Sequence, residues 1–202
     1  MPVMTGKHAM MRMLQAEGVK YIFGNPGTSE SPMMDALEDY PDLEYVLVTQ
    51  EGVAVGMADS YGRATSKPSF VNLHIETGLA NAISLMHNAR EGGSPMVVTS
   101  GNKDIREFAQ EYTELKEMVR LFTKWTSEAT YADQEPFFMR PAFNEAKTPP
   151  TGPTYVSFTA NSMDGEADID IFPSAAGYNR ICLLYTSDAA DDTPCVDLGG
   201  RR

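Results

Sequence analysis

The sequence predicts an α/β fold: a three-layer domain with a mostly parallel sheet and helices on both faces. Three observations carry this. Candidate strands and helices alternate along residues 1–180, the pattern that βαβ units leave. The candidate strands are short, largely continuous apolar runs rather than alternating ones, as expected where both faces of a sheet are covered. No cysteine occurs before Cys182, so disulfides and cysteine-bound metals do not stand in for a packed core.

The elements follow in order. Ala9, Met10, Met13 and Leu14 recur at helical spacing, and Gly18 ends that helix. Tyr21-Ile22-Phe23 is a strand, followed by the turn Gly24-Asn25-Pro26-Gly27. Thr28, Ser29 and Glu30 open a second helix running to about Leu37, with Thr28 or Ser29 as its cap. Tyr45–Val48 reads as a strand. Glu51 to about Thr65 reads as a helix with Val53, Ala54, Met57, Ala58 and Tyr61 on one side. Phe70–Leu73 is a strand, Leu79–Arg90 a helix and Met96–Thr99 a strand. A looser region carries helices near Tyr112–Leu121 and Glu135–Ala146. The turn at Pro149–Pro153 leads into a last strand, Thr154–Phe158. Ligands in such sheets sit at the carboxyl ends of the strands, which directs attention to the loops at 24–30, 49–52, 74–78 and 100–104.

Composition narrows the function. Hydrophobic residues make up 42% of the 202 residues, ordinary for a globular protein with one core. The net charge of −12 would repel nucleic acid. No run approaches the roughly 18 apolar residues that span a bilayer. The first 13 residues carry Lys7, His8 and Arg12 among apolar residues and lack the continuous apolar stretch of a signal peptide. A cytoplasmic protein is expected.

From Cys182 the character changes to CLLYTSDAADDTPCVDLGGRR. Back-translation of Cys182–Asp191 yields a string that resembles the end of a transposase-type sequencing adapter. After a short barcode ending at Thr193-Pro194, Cys195–Arg202 resumes the same adapter in the same frame. Ile181 straddles the junction. Residues 1–180 are therefore read as the domain and 181–202 as a non-biological, disordered tail, outside fold reasoning.

Three segments carry candidate chemistry, each with a plainer reading beside it. GNPGTSE, Gly24–Glu30, follows a strand and opens a helix, where backbone N–H groups can bind anions. It matches neither GxGxxG nor GxxxxGK[ST], and a tight turn built on Gly and Pro explains it as well. Glu51 stands just after a strand at a helix start, a position that also gives simple dipole benefit. In an apolar site its pKa would instead rise toward neutrality. His74 stands where a strand meets the ligand-binding edge, able to titrate near neutral pH or to serve structure alone. His8 and His87 lie within helices and are read as structural or solvated.

Taken together, four collinear motifs resemble one family: GNPG-T-x-E from Gly24, QE-x4-G-x-ADxYxxA from Gln50, NLH-x3-G-x2-NA from Asn72, and SPMVVTSGN from Ser94. They are similar to the N-terminal pyrimidine-binding domain of thiamine-diphosphate-dependent 2-oxo-acid enzymes, nearest in look to benzoylformate decarboxylase and its acetolactate-synthase-like relatives. The resemblance covers about Gly6 to Phe158.

The resemblance implies a decarboxylase or carboligase acting on a small-molecule 2-oxo acid. It implies thiamine diphosphate as cofactor and Mg²⁺ bound by a diphosphate domain that this chain lacks, since no GDG signature occurs. It implies a homodimer or homotetramer, with the fragment inactive alone. By position, Glu51 falls on the glutamate facing N1′ of the aminopyrimidine and would share a proton with it. Gly24, Asn25, Pro26 and Gly27 fall on the loop lining the site, and Gly78 and Asn81 on the start of the following helix. Thr28 falls on a serine that contacts the substrate carboxylate, keeping the hydroxyl and adding a methyl. His74 falls on an active-site histidine. Ile75, Glu76 and Thr77 replace smaller residues, so the substrate is expected to differ from benzoylformate. A naturally split decarboxylase subunit and a non-catalytic binding module with the same fold are the alternatives.

Overall fold

The computed structural model describes residues 2–107 and 112–174. The expectation for 181–202 lies outside the described residues.

The α/β expectation holds. Six strands form one parallel sheet: β2 (Tyr21–Asn25), β3 (Glu44–Leu47), β4 (Ser69–Leu73), β5 (Met96–Asn102), β6 (Thr126–Ala129) and β7 (Pro153–Thr159), in the order β3-β2-β4-β5-β7-β6. A small antiparallel pair, β1 (Val3–Thr5) with β8 (Glu166–Asp168), ties the two ends of the described chain together.

Alternation along each strand divides the core into two layers, because successive side chains leave opposite faces. Ile22, Phe70, Val97 and Val156 pack with α1 (Gly6–Ala16), α2 (Ser31–Ala36) and α6 (Gln134–Lys147). Their neighbours Phe23, Val71, Val98 and Tyr155 pack with α3 (Glu51–Thr65), α4 (Ile75–Glu91) and α5 (Leu115–Val119) on the other face. The central strands β4, β5 and β7 are buried throughout, which explains their near-continuous apolar reading. Met10, Met11, Met13 and Leu14 of α1 are fully buried. Gly18 follows this helix at φ +74, a conformation glycine adopts without steric cost.

Several expectations need correction. The helix from Thr28 to Leu37 is broken into a 3₁₀ turn at Thr28–Glu30, α2, and a second 3₁₀ turn at Leu37–Asp39. Neither Thr28 nor Ser29 caps it. The Glu30 carboxylate does so instead, accepting from Gly27 N at 2.8 Å. Strand β2 runs through Gly24 and Asn25, so the turn is shorter than expected. In α3 the core-facing residues are Ala54, Val55, Ala58 and Gly62, whereas Val53 and Met57 are exposed. The helix near 112–121 shrinks to Leu115–Val119.

Strand β6 was not foreseen. Its sequence, Thr-Ser-Glu-Ala, has little apolar character because it lies at the sheet edge and only Ala129 is buried. The short α7 (Ala160–Asp164) and the β1–β8 pair also carried no periodic signal at their length. Among the described residues no helix is long and apolar enough to cross a membrane.

Candidate functional site

The chain enters the sheet at β2, steps outward to β3, then returns to place β4 on the other side of β2. That reversal opens a crevice at the carboxyl ends of β2 and β4, the position where parallel sheets bind ligands. The register sets Asn25 beside Leu73, so the ends of both strands stop at one level. Asn25 closes β2, His74 follows β4, and Glu51 opens α3.

Glu51 is 8% exposed. Its Oε1 accepts from Asn25 Nδ2 at 2.9 Å and its Oε2 from Asn81 Nδ2 at 3.0 Å. The helix start itself is capped by Gln50, whose side chain accepts from Val53 N at 3.0 Å. Capping therefore does not explain Glu51. Gly78 lies beneath the carboxylate: a Cβ there would stand 3.2 Å from Glu51 Cγ. Burial pushes the Glu51 carboxyl up, but the Asn81 and Asn25 amides, with a backbone hydrogen bond and His74, together hold the group below the usual carboxylate value. In this chain the shift runs downward rather than toward neutrality, because the hydrogen bonds donated to the anion and the nearby His74 together stabilise it more than partial desolvation costs.

A second carboxylate shares the rim. Glu30 is fully buried. Its Oε1 accepts from Gly101 N at 2.7 Å, and its Oε2 lies 2.8 Å from His74 Nδ1 as well as from Gly27 N. The His74 ring packs against Gly27 so closely that a Cβ there would come within 2.2 Å of Nδ1. Ile75, next in sequence, holds φ +31, uncommon for a β-branched residue; such strain gathers at functional sites.

Of the expected residues, Asn25, Glu51 and Asn81 form one hydrogen-bonded set, with Gly78 against it, and Gly27 and His74 form another. Pro26 links them along the chain. Gly24 differs from its expected place on the loop. It lies buried within β2, where Tyr45 Oη and Asn72 O occupy the space a Cβ would take. Thr28 is exposed at the first position of the 3₁₀ turn, and its carbonyl accepts from Ser31 Oγ at 2.8 Å. Glu30 was missed as a site residue, although its motif was noted. The available signal was a charged residue inside a strand-to-helix turn that otherwise needs only Gly and Pro. His8 beside Tyr40 and His87 edge-on to Phe122 lie elsewhere, in α1 and α4.

An apolar groove of about 830 Å³ adjoins Glu51. Phe23, Val53, Met57, Tyr61 and Leu85 line it, and it shares Asn81 with the carboxylate. Among the described residues no three His, Cys, Asp or Glu side chains are grouped to hold a metal ion.

A parallel α/β sheet with a shielded carboxylate at its strand-order reversal defines a class: a small-molecule or coenzyme-binding domain. Comparison with known proteins gives the family. Residues 4–120 match the family described as "Thiamine pyrophosphate enzyme, N-terminal TPP binding domain", and the chain belongs to that family. It is 32% identical over 200 residues to benzoylformate decarboxylase of Pseudomonas aeruginosa, covering 96% of this chain and 36% of that one. It is 30% identical over 176 residues to the probable acetolactate synthase large subunit of Methanocaldococcus jannaschii, covering 86% and 30%. The solved structure of the Rhodococcus jostii thiamine diphosphate-dependent 4-hydroxybenzoylformate decarboxylase superposes with a TM-score of 0.77 at 32% identity, over 82% of this chain and 32% of that one. The chain thus spans about a third of the length of these relatives, all of them named as enzymes.

Proposed function

We propose that this domain forms the pyrimidine-binding side of a cytoplasmic, homo-oligomeric thiamine-diphosphate-dependent 2-oxo-acid decarboxylase or carboligase. The observation that carries this reading is Glu51: a shielded carboxylate with both oxygens already oriented by amides, at the crevice where the sheet order reverses. Each oxygen has a lone pair left, so the group fits an aromatic heterocycle carrying one N–H donor. The apolar groove beside it fits a flat ring and a covering partner domain.

When bound, thiamine diphosphate supplies the carbon nucleophile and the electron sink that a 2-oxo acid needs to lose carbon dioxide. The residues of this chain do the rest. Glu51 exchanges a proton with the pyrimidine nitrogen. A covering domain strips further water from this carboxylate, and desolvation, already the largest influence on it, then moves its pKa upward into the range useful for exchange. Asn25 and Asn81 hold Glu51 in place, Gly78 lets it sit close to α4, and Pro26 and Gly27 shape the loop. Thr28 offers its hydroxyl to the substrate carboxylate. His74 accepts and returns a proton at the substrate-derived oxygen. Mg²⁺ and the diphosphate belong to a part of the longer protein beyond this chain. The cofactor assignment to Gly24 is indirect: it permits the strand packing that aims Asn25.

Residues 1–180 are assigned to the domain and 181–202 to the adapter. Agreement of every non-barcode residue with the adapter in one reading frame supports that division; the alignment covering 96% of the chain extends past residue 180. Genomic sequence beyond codon 180 tests it. For the function, the longer protein carrying Glu51→Gln is compared with the unaltered one. The amide cannot exchange the proton, and turnover is expected to fall by roughly 10²–10⁴-fold. Unchanged turnover rejects the assignment.

A further inference from the structure

Glu30 joins three separate pieces of the rim. Its donors come from the loop after β2 (Gly27), from β5 (Gly101) and from the residue after β4 (His74). A fully buried carboxylate without partners would cost several kcal/mol; this one has three.

Proton counting restricts the arrangement. The two amides can only donate. A neutral carboxylic acid could donate only to His74 Nδ1, and it would then forfeit the charge that strengthens both amide bonds. The charged carboxylate accepts all three, so Nδ1 of His74 carries a proton. In the neutral ring the lone pair then belongs to Nε2. Nε2 makes no hydrogen bond among the described residues, and the ring is 27% exposed. The His74 ring fills the space a side chain at position 27 would take, so only glycine there leaves the ring room beside Glu30.

From this geometry we propose that Glu30 is a positioning residue acting through His74. It holds the ring as the Nδ1–H tautomer, leaves Nε2 as the proton acceptor at the rim, and faces the imidazolium with a negative charge once Nε2 has taken a proton. The proton gained at Nε2 is the proton later returned, and the Nδ1 proton stays between the two residues throughout. This rests on the proposed reading of His74 as the proton-handling group, and it adds what fixes the direction of that handling.

The test uses the 202-residue chain, ¹⁵N-labelled, with long-range ¹H–¹⁵N spectra of its three histidines. His74→Gln identifies the His74 signals. At a pH where the ring is neutral, the unaltered chain is expected to show a protonated Nδ1 and an unprotonated Nε2. Glu30→Gln is expected to lose the single-tautomer pattern while the amide spectrum stays dispersed. Glu30→Asp, which keeps the charge, is expected to retain more of it. In the longer protein Glu30→Gln should lower kcat by roughly 10²–10⁴-fold with KM little changed.

A predominant Nε2–H tautomer in the unaltered chain overturns the inference even if Glu30→Gln fails to fold. That result combined with turnover lost in His74→Ala rejects the role of Glu30 and leaves the proposed function standing. The expected tautomer combined with full turnover in His74→Ala rejects the proton-handling role of His74, and the catalytic use of Glu30 with it.

Discussion

Gly27 and His74 are in such close contact that the imidazole occupies the space of a side chain at position 27. An added Cβ would lie 2.2 Å from Nδ1 and 2.4 Å from both Cγ and Cε1. The contact joins the loop after β2 to the end of β4, across the reversal in strand order. Its requirement for glycine is steric, because no larger residue leaves room for the ring.

Gly27→Ala is therefore expected to drive His74 off Glu30. Glu30 would then lose one of its three donors while remaining buried, a change that costs about 1–3 kcal/mol. Urea unfolding of the chain measures the loss, and the Nδ1 proton signal of His74 reports the broken bond. A variant that keeps both would show that the loop yields more easily than the packing implies.

Asn81→Ala removes the stronger of the two amides that oppose desolvation at Glu51. The Glu51 carboxyl is expected to titrate at higher pH, read from its ¹³Cδ shift. The pKa of Glu51 is lowered in the folded chain, so its contribution to stability is present above the ordinary carboxylate range and is lost as pH falls through the folded value. The substitution should narrow that window from the acid side. An unmoved titration curve would mean that the Asn81 amide does not set the charge.

Glu135 behaves in the opposite way. It is fully buried in α6, its Oε2 has no partner among the described residues, and its Oε1 lies 2.6 Å from Ser162 Oγ. That hydroxyl is also 2.8 Å from Thr159 O. One hydroxyl proton cannot serve two acceptors, which points to a protonated carboxyl supplying the second. Burial pushes its pKa up to about 8. The folded state thus holds a proton that the unfolded state releases above the ordinary carboxylate pKa. Stability is expected to fall as pH rises toward 8, by about 1.4 kcal/mol per pH unit from this group. Glu135→Gln should flatten that slope and leave the protein more stable at pH 8, as read by thermal unfolding across pH.

Legibility in the sequence followed burial. Strands β4, β5 and β7 were visible because both faces are covered and their residues are apolar. Helix α3 was located to its first and last residue, yet its inward face was misread. Val53 and Met57 look like core but are exposed on the apolar groove. Strand β6 was invisible because an edge strand needs few apolar residues. Glu51 and His74 were singled out by their positions at strand ends. Glu30 was not, since nothing along the chain reveals that Gly101, 71 residues away, donates to it.

The sequence by itself determined the alternation of strands and helices, the membership of the family through four ordered motifs, and the sites at which carboxylates meet strand ends. Periodicity and turn chemistry are local, and a single chain records them directly. The tertiary structure alone decided the order of the strands, the pairing of Glu30 with His74, the two amides on Glu51 and hence the sign of its pKa shift. Those outcomes depend on distances between residues far apart in the chain. Electrostatic balance between desolvation and donated hydrogen bonds changes sign over a few ångströms, and no linear pattern encodes that.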